Sequence, residues 1–408
     1  MPWMMRWAGE FPLLAAHAEG SRLTDVDGRE YVDLCLGDTG AMAGHAPPAV
    51  VAAVREQVAR GVTTMLPTDD AAWAGEEMAR RFGLERWLFT LTATDANRTA
   101  LRVARRLTGR PKVLVFSYSY HGSVDEAFAV ARPDGTTVSR AGNVGPPVDV
   151  SETTRAVEFN DLDGLERALA HEDVACVLAE PAMTNMGIVL PEAAYHESLR
   201  ALTRAHGTLL ILDETHTFSA GPGGATALWE LEPDLLSIGK AIGGGVPVGA
   251  LGVTGEVADA MLADAEADYE DTGGVGGTLA GNALSLAATR ATLGEVLTED
   301  AFAHTCALAE RWAEGVRSVY EAAGLEWSVT RLGCRAEYRF APDGVRNGTQ
   351  AHAAGDAELE RYLHLYALNR GVLMTPFHNM ALMAPTTSGA DVDLHTEVFE
   401  AAVGQLVG

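Results

Sequence analysis

The chain has 408 residues, 47% of them apolar and 21% charged, a globular composition that excludes disorder or a fibrous repeat as its main theme. Its 30 Lys and Arg stand against 56 Asp and Glu, a formal net charge of -26, and no basic run interrupts the excess. Such a field repels phosphate backbones and anionic lipid surfaces, so neither nucleic acid nor membrane is an expected partner.

A chain this long has room for about two to three domains and needs no metal or disulfide staple. Its start, Met1-Pro2-Trp3-Met4-Met5-Arg6-Trp7, lacks a basic leader followed by an apolar core, and no apolar stretch approaches the roughly 20 residues of a membrane helix. The cytoplasm is the expected location. Cys35, Cys176, Cys306 and Cys334 lie too far apart for a zinc or disulfide framework, so they read as small hydrophobes, and no metal site is expected.

Along the chain, Arg22 to Asp33 reads as a hairpin turning at Asp27-Gly28. Short apolar runs at Val113–Phe116, Ala175–Ala179 and Leu209–Leu212 then alternate with helical periodicity at Thr99 to Leu107 and Glu192 to His206. That alternation predicts an α/β core, a mostly parallel sheet with helices on its faces. Pro133 to Pro147 reads as the one lengthy loop. From about Leu297, two long helices around Leu308 and Tyr362 with a strand at Ala336 to Phe340 predict a smaller α+β lobe.

Polar residues close three of the apolar runs: Tyr118 to His121, Glu180, and Asp213 with Glu214. Ligands of open parallel sheets bind beyond the carboxyl ends of the strands, so that rim is where chemistry is expected. Lys240 sits in apolar and glycine-rich sequence, Leu235 to Ala250, with few side chains to solvate an ammonium, as an amine nucleophile requires; a lone lysine is more often a surface side chain. Asp213 ends a buried run, where an unpaired carboxylate is costly, and so requires a cationic or hydrogen-bonding partner, whether a ligand or a structural ion pair. Thr90 to Arg98 opens a helix and offers hydroxyls and free amides to a phosphate, although Thr and Asp are also ordinary caps and Asp95 opposes an anion unless it faces away. Tyr118 and Tyr120 offer aromatic rings to a flat ligand or to the core.

Asp213-Glu214-Thr215-His216, Gly239-Lys240 with Gly243 to Gly249, and Gly276-Gly277-Thr278-Leu279-Ala280-Gly281-Asn282 occur in the order and near the spacing of class III aminotransferases. Glu180 to Gly187 and Asp25-Val26-Asp27-Gly28 most resemble the glutamate-1-semialdehyde aminomutase branch of that family. The resemblance runs from about Pro12 onward. It implies the fold type I of pyridoxal-phosphate-dependent transferases. In this division residues 1–55 join a small domain, 56–296 form the large cofactor domain and 297–408 complete the small one.

The resemblance further implies pyridoxal 5′-phosphate bound to Lys240 as a Schiff base, with Asp213 on the pyridine nitrogen, Tyr120 against the ring and Thr215 under its other face. Ala93 and Thr94 match the phosphate-binding pair, and Thr278 a phosphate contact from a second subunit, so a homodimer is implied. Glu180, Asn185 and His216 complete the implied cofactor surroundings. Three features depart from the branch: Thr92-Ala93-Thr94-Asp95 replaces Ser-Gly-Thr-Glu, Thr215 replaces an aliphatic residue, and the upstream arm is short. On these grounds the expected reaction is ping-pong transamination between an amino donor and a carbonyl acceptor. The alternatives are an aminomutase, moving the amino group within one molecule, and a non-catalytic binding protein on the same fold. A nicotinamide dehydrogenase is disfavoured, because Gly243 to Gly249 lacks the strand-turn-helix setting of a dinucleotide fingerprint. Arg6, Arg335 and His378 are the candidates for holding a substrate.

Overall fold

The computed structural model describes residues 13–263 and 274–408. Its strands, in chain order, are β1 (Ala15–Glu19), β2 (Arg22–Asp25), β3 (Glu30–Asp33), β4 (Arg86–Thr90), β5 (Lys112–Phe116), β6 (Ala129–Ala131), β7 (Thr137–Ser139), β8 (Thr154–Val157) and β9 (Val174–Ala179). There follow β10 (Leu209–Asp213), β11 (Leu235–Ile238), β12 (Gly249–Val253), β13 (Ser328–Leu332), β14 (Arg335–Arg339), β15 (Val372–Leu373) and β16 (Met380–Leu382).

Seven strands make the central sheet in the order β4-β12-β11-β10-β9-β5-β8, and the pairings from β11 through β8 are all parallel. Only β12 runs against its neighbours. Both faces are covered, as parallel strands require. Along β5 the pleat sends Val113 and Val115 into one core with Ala96, Ala100, Cys176 and Ile211, and Leu114 and Phe116 into another with Val177, Leu212, Tyr195 and Leu199.

The helix Ala93–Thr108 shows how local sequence sets an element. Thr92 caps its start by accepting from the Asp95 amide at 3.2 Å, Ala96, Ala100, Leu101 and Ala104 form its buried face, and Gly109, at φ 67°, ends it in the left-handed conformation. The predicted Glu192–His206 helix begins instead at Tyr195 and ends at Ala205. Glu192 is held outside it, its amide donating to Asn160 Oδ1 at 2.9 Å and its carboxylate paired with Arg346. The expected loop at 133–147 contains β7, which pairs with β6 through a turn at Gly135; three residues of strand were too short to read as a periodic run.

The hairpin forms as predicted, β2 against β3, with Gly28 at φ 80° in its turn. β15 then pairs with β3 in parallel, so Val32 lies beside Val372 and the first sheet takes its fourth strand from late in the chain. β13, β14 and β16 make an antiparallel sheet that packs on the helix Glu299–Ala322, where the buried Trp312 stacks on Tyr338. Among the described residues no helix is long and apolar enough to cross a membrane.

Close packing across the sheet predicts a large cost for shortening Leu178, which is fully buried on β9. Leu178→Ala is expected to lose about 3 kcal/mol, read as a lower urea midpoint at unchanged slope. An unchanged midpoint would show that this face is loosely filled.

Candidate functional site

Because β5, β9, β10 and β11 run parallel, the residues after them gather on one rim. A cavity of about 340 Å³ opens there, lined by Ala93 and Thr94 at a helix start, by Tyr120, and by Asp213, Thr215, His216 and Lys240.

Asp213 is the buried charge of the site. Its Oδ2 lies 2.9 Å from His121 Nδ1 and 2.9 Å from the Asn97 amide that donates to it, while Oδ1 accepts from the Thr215 amide at 3.1 Å. Burial pushes its carboxyl up, but bonding to His121, the His121 charge and the bonds from Thr215 and Asn97 outweigh it and hold the group down at about 2. The carboxylate is therefore ionised, and His121 donates through Nδ1, leaving Nε2 buried without a partner among the described residues. Sequence reading singled out neither Asn97 nor the role of His121; the one visible signal was an amide on the apolar face of a helix.

Lys240 follows β11 at φ 49°, a left-handed conformation rare for a side chain of this size and concentrated at functional sites. The preceding glycine is required: a Cβ at Gly239 would stand 2.9 Å from the Ala93 amide nitrogen. Lys240 Nζ lies 3.1 Å from both the Asp38 carbonyl and its Oδ2, and 2.8 Å from His216 Nε2. Asp38 escaped the sequence reading. It sits in Leu36-Gly37-Asp38-Thr39, four successive left-handed residues after β3, a conformation that a mixed polar and glycine run does not announce. Burial raises its carboxyl, yet Lys240, His216, His378 and Arg335 more than offset this and hold it far below the usual carboxylate range.

At the other end of the cavity the helix start brings Ala93 and Thr94 to its lining. Asp95 is engaged with the Thr92 hydroxyl at 2.9 Å and does not line the cavity. Gly122, at φ 75°, makes room for the Thr94 hydroxyl, which a Cβ there would overlap at 1.9 Å. Thr215 lines the cavity with its Oγ1 buried and without a partner among the described residues, and Tyr120, 42% exposed, lines it as well.

The remaining sequence candidates lie elsewhere. Glu180 is buried beneath the rim, bonded to the Thr184 hydroxyl. Asn185 donates to the Tyr118 carbonyl at 2.8 Å and, with His378, lines a second cavity of about 370 Å³. Arg335 is fully buried on β14 and lines neither cavity; its guanidinium contacts His216, the Thr184 carbonyl and Glu337. Thr278 is exposed in a turn and does not line the Lys240 cavity. Arg6 lies outside the described residues.

The profile of class-III aminotransferases matches residues 3–403. This chain belongs to the class-III aminotransferase family. It is 34% identical over 405 residues to the glutamate-1-semialdehyde 2,1-aminomutase of Anaeromyxobacter sp. (strain Fw109-5), covering 98% of this chain and 92% of that one. A crystal structure of a glutamate-1-semialdehyde aminomutase from Pseudomonas aeruginosa PAO1 superposes with a TM-score of 0.96 at 52% identity, over 99% of this chain and 90% of that one. An omega-transaminase from Sphaerobacter thermophilus does so at 0.89 and 29% identity, over 98% and 92%.

Class-III aminotransferases have the type I fold and use pyridoxal 5′-phosphate, and the residues of this cavity fit that cofactor. They offer a helix start and a threonine hydroxyl suited to a phosphate, an ionised buried carboxylate suited to a pyridinium, and a primary amine suited to an aldehyde. The Thr215 hydroxyl and His121 Nε2 show polar capacity that no other described residue uses.

Glu180 yields a pH prediction. Burial, more than its neighbours, pushes its carboxyl up to about 7. Between the usual carboxylate range and about 7 the folded protein keeps a proton that the unfolded chain has released, so this group's contribution to stability falls as pH rises through that window. Glu180→Gln is expected to flatten that decline, measured as urea midpoints at about pH 5 and about pH 8. An equally steep decline in the variant would mean that Glu180 is ionised throughout.

Proposed function

We propose that this chain is an aminomutase of the glutamate-1-semialdehyde type, moving an amino group between two carbons of one molecule rather than to a second carbonyl substrate. The supporting observation is its 51–52% identity, over 99% of its length, to structures described as glutamate-1-semialdehyde aminomutases, with curated relatives of that activity at 33–35%.

Pyridoxal phosphate, when bound, supplies an aldehyde that captures amines and a ring that accepts the electron pair left when a C–H proton is removed. In this reading Asp213, ionised and fixed by three donors, keeps the pyridine nitrogen protonated. The helix start at Ala93 and Thr94 holds the phosphate, with Thr278 of a second copy adding a contact in a homodimer. Tyr120 covers one face of the ring and Thr215 the other. Lys240 would hold the cofactor's aldehyde through its side-chain nitrogen and, when free, would serve as the base that moves a proton between carbons.

A second reading, transamination with a separate acceptor, is favoured by two features of the cavity. Ala93 stands where the aminomutase branch has glycine, and the Thr215 hydroxyl, unpartnered, stands where that branch has a hydrocarbon.

The two readings separate on a single assay with glutamate-1-semialdehyde as the sole substrate and the cofactor-loaded protein. The aminomutase produces its isomer, 5-amino-4-oxopentanoate, catalytically without any added keto acid. Release of the deaminated acid, 4,5-dioxopentanoate, that stops at one equivalent per site and resumes on adding a keto acid to take up the retained amino group identifies the transaminase. Lys240→Ala is expected to lower turnover by about a hundredfold or more. Full activity in that variant would instead support a non-catalytic role for the site.

A further inference from the structure

We propose that the second cavity, of about 370 Å³, binds a small organic acid, its carboxylate held by Arg339 in a lining that also contains Arg140 and His352. The site does not depend on the reaction proposed above. Only the choice between two sources of that carboxylate, the substrate's own and a separate acid, rests on that reading.

Arg339 is the last of three charges that alternate along β14. The first two are satisfied: Arg335 Nη2 donates to the Thr184 carbonyl at 3.2 Å and lies 3.4 Å from Glu337 Oε2, and Glu337 Oε1 lies 3.0 Å from His378 Nδ1. Arg339 is not. Its Nη2 donates to the Met186 carbonyl at 3.1 Å, and it forms no ion pair among the described residues. A guanidinium carries five N–H groups, so most of its donors stay unengaged. Burial weakens its hold on the proton, and the charge of Glu337 offsets only part of that. A partly buried cation in this state is costly until an anion meets it. The backbone makes room for the group: Gly187 lies at φ 81°, and a Cβ there would stand 2.5 Å from Arg339 Nη2.

The rest of the lining sets the chemistry of the ligand. His352 stacks on Tyr118 with ring centroids 4.5 Å apart, and the Arg140 guanidinium lies 5.8 Å from the same Tyr118 ring and donates to the Ser119 carbonyl at 3.3 Å. Two arginines thus line one cavity in a chain whose net charge is -26. Of the carboxylates in the lining, Glu337 is engaged by Arg335 and His378, and Glu360, on the helix Ala357–Leu368, makes no bond to Arg339. A planar carboxylate matches the guanidinium fork, Phe340, Phe377 and Met186 suit a short hydrocarbon body, and the volume suits a small acid rather than a polymer.

The cavity is joined to the Lys240 site through its own wall. Glu337 lines it and contacts Arg335, whose Nη1 lies 3.0 Å from His216 Nδ1, and His216 Nε2 lies 2.8 Å from Lys240 Nζ. An acid bound here is therefore one chain of contacts away from Lys240.

The probe is glutarate, titrated by calorimetry into full-length cofactor-loaded protein, so that the Lys240 cavity is filled. One saturable site per chain is expected, weakened about tenfold or more in Arg339→Gln, partly restored in Arg339→Lys, and absent for the neutral diamide glutaramide. No saturable binding at millimolar glutarate, or equal affinity in wild type and a folded Arg339→Gln, checked by near-ultraviolet circular dichroism, overturns the proposal. Turnover of glutamate-1-semialdehyde then separates the two sources. Competition by glutarate, with Arg339→Gln raising KM while kcat holds, identifies the substrate's own carboxylate; a change in kcat on adding glutarate, with KM unmoved, identifies a separate acid. Absence of any turnover would refute the reaction proposed above, a result the glutarate titration does not depend on.

Discussion

A carboxylate sealed at the end of a buried strand governs this molecule. Asp213 closes β10 after four apolar residues, and nothing in a hydrocarbon interior tolerates its charge unpaired. Three separate elements answer it: Asn97 from the helix Ala93–Thr108, His121 from the segment after β5, and the Thr215 amide from its own turn. Satisfying one charge thus fixes the relative placement of three pieces of the rim. That same helix begins at the Ala93–Thr94 end of the cavity, so the requirement of Asp213 also sets the distance between the two ends of the site.

Much of this was legible in the sequence. The apolar runs at Val113, Ala175 and Leu209 announced buried parallel strands, and such strands place the residues that follow them on a common edge, which is why Tyr118 to His121, Glu180 and Asp213 stood out; Lys240 stood out for its apolar, glycine-rich setting instead. Glycines were informative where the backbone had no choice, as at Gly28 and beside Lys240. Asp38 was not legible, because its importance comes from a left-handed loop that brings it to Lys240 from the far side of the fold. Arg335 was noticed but for the wrong geometry to be visible: a strand position reveals which face a side chain takes, not whether its guanidinium meets solvent or a histidine.

The strand β14 carries Arg335, Glu337 and Arg339 at alternate positions, one face of charge opposite a face that includes the core residues Ala336 and Tyr338. Burying such a stripe is unfavourable unless each member is paired, and here the pairing runs from Lys240 through His216 and Arg335 to Glu337 and His378. Electrostatic order in this pocket is therefore built by the small sheet as well as by the large one.

The pairing of β3 with β15 has a consequence for how the molecule is made. Val32 emerges early in synthesis and Val372 near its end, so the edge that carries the Asp38 loop stays open until almost the entire polypeptide has left the ribosome. Closing so long a separation is entropically late, and the lysine's acidic neighbour arrives with it. A nascent chain can thus assemble the Asp213 end of the cavity well before Asp38 is fixed against Lys240, and the last tenth of the protein acts as the clasp that finishes the pocket.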